Sequence, residues 1–305
     1  MPQVFFGPHG ANNDNFANAR NANLGRFPLG HTLILPDGRE YRFTLNDGTV
    51  EVAGNLYQSV APVANHSNVV SNAARAIGAT AISATLGATA AGVDIYSEGL
   101  VHTNDNTGEG YSYRIRRAFA AGESHALAAT SSVLTVNLEP GESVQVALTT
   151  SSDVTFTRNR YHQATLHLSP ATAQLSGVSP GVAAADRFYW SQVKGYAAVA
   201  ADLTLLAGLP VMPSIAQNGQ VESYKRRARS GGTTVLLATT IVKTGSKWLD
   251  QDGVTTDILL LHTTSVQVTV TADITGPAAI NGPVIGQCVK ANASTEFALI
   301  DLAIP

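Results

Sequence analysis

Between Leu134 and Thr149 the chain alternates in character. Leu134, Val136 and Leu138 are interleaved with Thr135, Asn137 and Glu139, Pro140-Gly141 follows, and Val144, Val146 and Leu148 then alternate with Gln145, Ala147 and Thr149. A period of two is the mark of an extended strand with one buried and one wet face, because successive side chains leave a strand on opposite sides. The same pattern returns where Val266, Val268 and Val270 alternate with Gln267, Thr269 and Thr271. Residues 134–138 and 144–148 are therefore expected to pair as a hairpin across Pro140-Gly141. Pro36-Asp37-Gly38 and Asn46-Asp47-Gly48 are turn tripeptides that bracket Tyr41-Arg42-Phe43-Thr44-Leu45, a run of one strand's length. Helical signals are poor. The two best stretches, 68–77 and 183–193, are short, and the second is rich in aromatics that suit a strand equally well. The expected class is all-β.

A chain of 305 residues suggests roughly two domains. The run Gly177-Val178-Ser179-Pro180-Gly181 separates an alternating region from the cluster Phe188-Tyr189-Trp190, so a boundary is expected there. The resulting division is an extended N-terminal arm over 1–29, a β domain over 30–178 and a second β domain over 179–305, each sandwich-like or barrel-like. The arm contains six asparagines between Gly7 and Arg26 and, after Phe6, only two large apolar groups, Phe16 and Leu24. It cannot bury a core of its own. It is expected to be either a disordered tail or an arm ordered by another subunit, with Phe5, Phe6 and Phe16 as its anchors.

Charge is scarce, at 13% of residues, about half of the ~25% usual in soluble domains. The 19 basic and 22 acidic residues leave a net charge of −3, which supplies no field for drawing the chain onto nucleic acid or anionic lipid. The single cysteine, Cys288, excludes an internal disulfide framework and any multi-cysteine metal site. Its apolar surroundings, Val284-Ile285-Gly286-Gln287 and Val289, suit a small buried thiol. The N-terminus lacks the basic start and apolar stretch of a secretory signal, so synthesis and retention in a cytosol are expected. The uncharged stretch 76–93 is interrupted by Gly78, Gly87 and Gly92 and is not read as a membrane span.

The search for chemistry finds little. Of eight histidines only His162 and His167 lie close in sequence. Their five-residue spacing puts them on opposite faces of a strand, so they read as surface or strand-edge groups rather than metal ligands. Asp250-Gln251-Asp252-Gly253 lacks the remaining ligands of a calcium loop and reads as a turn between 247–249 and 258–260. No nucleophile elbow and no phosphate loop is present. No catalytic residue, metal or cofactor is expected. One charged run stands out, Lys225, Arg226, Arg227 and Arg229. It reads either as a solvated hairpin tip or as a docking loop for an acidic surface, with nucleic acid a weaker third reading.

Several stretches carry a resemblance. They are Pro36-Asp37-Gly38-Arg39 with Tyr41-Arg42, Val52-Ala53-Gly54-Asn55-Leu56-Tyr57-Gln58-Ser59, Gly108-Glu109-Gly110-Tyr111-Ser112-Tyr113-Arg114-Ile115 and Phe188-Tyr189-Trp190-Ser191-Gln192-Val193-Lys194-Gly195. Ala207-Gly208-Leu209-Pro210-Val211, Pro283-Val284-Ile285-Gly286-Gln287 and Phe297-Ala298-Leu299-Ile300-Asp301-Leu302 complete the set. Together they resemble the decoration, or cement, proteins of tailed bacteriophages, accessory head proteins that attach to the outside of the capsid. The insertion between Ser223 and Thr234 departs from that pattern. The resemblance implies a β-rich structural subunit without catalytic chemistry, synthesised in the host cytoplasm and placed on the outer surface of the virion capsid. Its implied partners are the major capsid protein and copies of itself, as a homotrimer rather than a dimer, with no nucleic acid and no membrane. The alternative is a phage adhesin that binds a receptor or carbohydrate through exposed aromatics.

Overall fold

The computed structural model describes residues 27–118, 128–224, 283–293 and 296–304 in full, and the backbone of three short strands outside them. Strands dominate. Among the described residues the only helical element is a 3-10 turn at Ala64–His66. In chain order the strands are β1 (Phe5–Phe6), β2 (Thr32–Ile34), β3 (Glu40–Leu45), β4 (Leu56–Gln58), β5 (Val69–Val70), β6 (Ala81–Thr85), β7 (Leu100–Asp105), β8 (Ser112–Arg114), β9 (Val133–Asn137) and β10 (Asp153–Thr157). They continue as β11 (Thr165–Leu166), β12 (Leu175–Val178), β13 (Phe188–Ala200), β14 (Pro210–Pro213), β15 (Val221–Ser223), β16 (Gly245–Leu249), β17 (Thr255–Leu259), β18 (Gly286–Lys290) and β19 (Phe297–Ala303). The all-β expectation is met.

The largest sheet runs β1-β2-β3-β13-β19-β18-β14-β15, with β4, β11 and β12 joined to it through β13. Its organiser is β13. The first half of that strand pairs antiparallel with β3, from Phe188 opposite Leu45 to Lys194 opposite Glu40. The second half pairs antiparallel with β19, from Lys194 opposite Ala303 to Ala200 opposite Phe297. One strand thus joins the beginning of the chain to its end. The changeover is built locally: the ladder to β3 shifts register between Gln192 and Lys194, and Gly195 takes φ +81, a left-handed conformation that glycine adopts at no steric cost. A β-carbon there would lie 2.9 Å from Cγ of Arg39, so the absence of a side chain also lets the Arg39 stem cross the strand.

After β4 the chain leaves this sheet and returns at β11. The excursion forms its own body, with a sheet ordered β5-β10-β7-β8 and a separate pair β6-β9. It has its own core, in which Ile82, Val101, Ile115, Val136, Val144 and Val154 are fully buried. The main sheet holds two further clusters, one of aliphatics around Leu56, Val199, Leu205, Ile285 and Ile300, the other of aromatics around Tyr41, Phe43, Phe188 and Trp190. Cys288 is buried in the aliphatic cluster, as its neighbours in sequence suggested, and burial pushes its thiol pKa up.

Two expectations are corrected. Gly177–Gly181 is not where the chain divides. β12 pairs with both β4 and β13, and a β-carbon at Gly177 would sit 2.3 Å from Oγ of Ser191. The glycine marks close packing of strands, which sequence composition does not distinguish from a linker. The two compact units are instead 1–224 with 281–305, and 225–280. In the second unit β16 and β17 pair antiparallel from Gly245 opposite Leu259 to Leu249 opposite Thr255, the hairpin expected around Asp250-Gln251-Asp252-Gly253, whose own residues lie outside the described ones, as do Val266, Val268 and Val270.

The second correction concerns the expected hairpin across Pro140-Gly141. The turn forms, but β9 pairs with β6, and the 144–148 segment meets 75–79: Val144 N–H donates to Ala79 O at 2.9 Å, and Leu148 and Arg75 exchange two backbone bonds. The stretch 75–85 serves as partner to both halves. Alternation reports which side chains are buried, and Leu134, Val136, Leu138, Val144 and Leu148 do share one core. It does not specify the neighbouring strand. The helical alternatives at 68–77 and 183–193 are likewise replaced by β5 with turns and by the start of β13.

Candidate interaction surface

The second half of β13 alternates strictly. Ala197 and Val199 point into the aliphatic core while Tyr196 and Ala198 face outward. On β19, Ala298, Ile300 and Leu302 point inward, leaving Phe297, Leu299, Asp301 and Ala303 on the outer side. The register sets Tyr196 beside Asp301, Ala198 beside Leu299 and Ala200 beside Phe297, and β18 adds Gln287 and Val289. Tyr196 is 58% exposed and Phe297 56%. Near β18 the 203–209 segment adds exposed Leu206 and Leu209, held where Gly208 N–H donates to Cys288 O at 2.7 Å and Gln287 Nε2 donates to Gly208 O at 2.7 Å.

Two ion pairs and a buried amide lie at the edge of this face. Arg39 Nε lies 2.7 Å from Asp37 Oδ2, and Lys194 Nζ lies 2.8 Å from Glu40 Oε1. Gln192, buried beneath the changeover, donates its amide to the carbonyls of Lys194 and Tyr196. A groove of about 290 Å³ lies between Arg39, Tyr196 and Phe297, and its floor includes Gly54. Gly54 has φ +76 and lies directly under the Phe297 ring.

Other groups with chemical potential are shut away from solvent. Glu51 is fully buried, and loss of solvation raises its pKa from the ordinary carboxylate value to about 8. The hydroxyls of Tyr189 and Ser179 lie beside it, but neither makes a hydrogen bond of good geometry with it, and Ser179 donates to Gly181 O at 2.7 Å. Tyr57 accepts the Val52 N–H at 2.8 Å. His162 and His167 were expected at the surface or a strand edge; both are buried, and desolvation lowers their pKa values to about 3 and about 4. Spacing shows which face a side chain takes, not whether another element covers that face. Among the described residues no group of three or more His, Cys, Asp or Glu is placed to hold a metal ion, and no helix is long and apolar enough to cross a membrane.

The sequence-derived interaction candidates fare unevenly. Phe5–Phe6 adds β1 parallel to β2 of the same chain, with Phe5 opposite Leu33 and Phe6 opposite Ile34. The side chains of Phe5 and Phe6 lie outside the described residues, as do Phe16, Lys225, Arg226, Arg227 and Arg229. Tyr196 and Phe297 were not singled out. Their signal was present in the alternation, which puts Phe297 on the same side as Asp301 and opposite to Ile300 and Leu302. Neither a protein-family model, nor a curated protein, nor a solved structure matches the chain.

Proposed function

We propose that this chain is a structural virion protein, a decoration subunit that binds the outer surface of a tailed-phage capsid and reinforces the shell without catalysing a reaction. The observation that carries the reading is the outer face of β13, β18 and β19. It exposes Tyr196, Phe297 and Val289 on the sheet, the 203–209 loop beside β18 exposes Leu206 and Leu209, and the Arg39–Asp37 and Lys194–Glu40 pairs lie at its edge. Such a face mixes exposed aromatic and aliphatic groups with a few polar ones, Asp301 and Gln287 among them, a composition found on surfaces that bury against a partner. Its occupant in this reading is the capsid protein. The scarcity of charge fits a subunit whose partner is a protein lattice, and a homotrimer would match a local threefold position on the shell.

The test uses purified full-length protein and capsids stripped of accessory proteins. Tyr196→Asp and Phe297→Asp change exposed residues, so the fold, read by circular dichroism, stays intact and capsid binding is lost. Binding unchanged in both variants rejects the reading. Light scattering on the free protein reports the oligomeric state, and a stable monomer at micromolar concentration rejects the trimer.

A further inference from the structure

Tyr196 and Asp301 stand directly opposite each other in the antiparallel ladder of β13 and β19, both on the outer side of the sheet. Side chains in that relation leave the sheet about 5 Å apart and point the same way. A ring and a carboxylate therefore rise side by side. Besides the groove it shares with Phe297, Tyr196 borders a wider cleft of about 590 Å³, lined also by Asp37, Gly38, Arg39, Lys194, Gly195 and Asp301. Gly38 and Gly195 both take the left-handed conformation, at φ +86 and φ +81, and leave their part of the lining without side chains.

The charges of the cleft do not cancel. Arg39 is held by Asp37 at 2.7 Å, and Lys194 by Glu40 at 2.8 Å. Asp301 is the remaining ionised group, and among the described residues neither its carboxylate nor the Tyr196 side chain has a hydrogen-bond, ion-pair or ring partner. Gln287, the neighbour of Asp301 on β18, donates its amide to Gly208 O at 2.7 Å instead. Three carboxylates thus meet two cations, and the unmatched negative charge lies beside an exposed aromatic ring.

We propose that this cleft receives an arginine side chain of the protein on which the outer face of the sheet docks. The guanidinium plane stacks on the Tyr196 ring, and its fork of N–H groups donates to the two oxygens of Asp301. Both contacts favour arginine, which is planar, permanently charged and matched to a carboxylate in geometry. A lysine ammonium pairs with the carboxylate but has no plane to stack. A neutral planar group stacks but leaves the charge of Asp301 unmatched, and an anion is repelled by it. The inference rests on the reading of this face as the attachment side, and adds the chemistry of a group it meets there.

The experiment is a nuclear magnetic resonance titration of the full-length protein with N-acetyl-L-arginine methylamide, its lysine analogue and its uncharged citrulline analogue, following the backbone amides of Gly195, Tyr196 and Asp301. The arginine probe shifts these signals saturably, the lysine probe binds more weakly, and the citrulline probe leaves them in place. Asp301→Asn and Tyr196→Ser each weaken arginine binding by about fivefold, the scale of one exposed ion pair or one cation–π contact. Both residues are exposed, and the spectrum of each variant reports its fold directly. Absence of saturable shifts, citrulline binding equal to arginine binding, or arginine affinity unchanged in either folded variant overturns the proposal. Capsid attachment is measured separately. Attachment lost in Tyr196→Asp but complete in Asp301→Asn overturns the arginine contact and leaves the docking reading standing, whereas arginine binding by a protein that attaches to no capsid supports the site and overturns the docking reading.

Discussion

The ring of Phe297 lies across Gly54, so close that a β-carbon on residue 54 would be 2.3 Å from Cε1 of the ring. The same glycine has φ +76 and its carbonyl accepts the N–H of Ala200, which locks the 52–55 turn to the end of β13. Gly54→Ala is therefore expected to cost about 2 kcal/mol, of which ~1–2 kcal/mol is the left-handed backbone alone. It also lifts the Phe297 ring from its seat. Chemical denaturation measures the first effect, and weakened capsid binding at temperatures where the variant is fully folded reports the second.

Glu98 ties the excursion to the start of the main sheet. Its Oε2 accepts the N–H of Leu29, its Oε1 lies 3.1 Å from Arg117 Nε, and its own carbonyl accepts from Asn159 Nδ2 at 3.1 Å. Removal of the carboxylate orphans a buried N–H and leaves Arg117, itself partly buried, without this counter-ion. Glu98→Ala is expected to lower stability by about 2–4 kcal/mol. By contrast Lys194, 59% exposed in its pair with Glu40, should cost under about 1 kcal/mol when replaced by alanine. Parallel urea titrations of the two variants check the contrast, and equal losses would contradict it.

Burial raises the Glu51 pKa to about 8 in the folded chain, against an ordinary value near 4.5. Between those values the folded state holds a proton that the unfolded state has released, so stability falls as pH rises from about 4.5 through 8. Glu51→Gln keeps the shape and removes the titration. The variant should lose less stability than the parent between pH 5 and pH 9, a difference on the order of a few kcal/mol at the alkaline end. Thermal unfolding across that range would show two parallel curves if the carboxyl were not buried.

His162 and His167 act in the other direction. Their folded pKa values are lowered to about 3 and about 4 from an ordinary 6.5, so on acidification the unfolded chain takes up protons before the folded one does. Stability falls as pH drops from about 6.5 toward 3. His167→Gln should flatten that acid limb, and unfolding midpoints at pH 4 and pH 7 give the comparison. An unchanged difference between the two pH values would place His167 in contact with water.

What the amino-acid order determined by itself was local. Pro36-Asp37-Gly38 turns because the Asp37 carboxylate accepts the Arg39 N–H at 3.1 Å and Gly38 tolerates φ +86, and Asn46-Asp47-Gly48 turns because Asp47 accepts the Thr49 N–H at 2.8 Å. Tyr41 to Leu45 forms a strand because its residues suit nothing else between two such turns, and Cys288 falls on the opposite side of β18 from Gln287 and Val289, as a period of two requires. Each of these depends on groups a few residues apart. The choice of partner strand, the burial of His162, His167 and Glu51, and the exposure of Tyr196 and Phe297 depend on other segments of the chain, as when β6 meets β9 or β3 meets β13. β13 must meet β3 on one side and β19 on the other before its inner and outer faces exist, and Gly177 must meet Ser191 before it can be told from a linker. A period of two states that a strand has two faces; only the packed sheet decides which of them is left to the solvent, because burial is a property of what lies opposite.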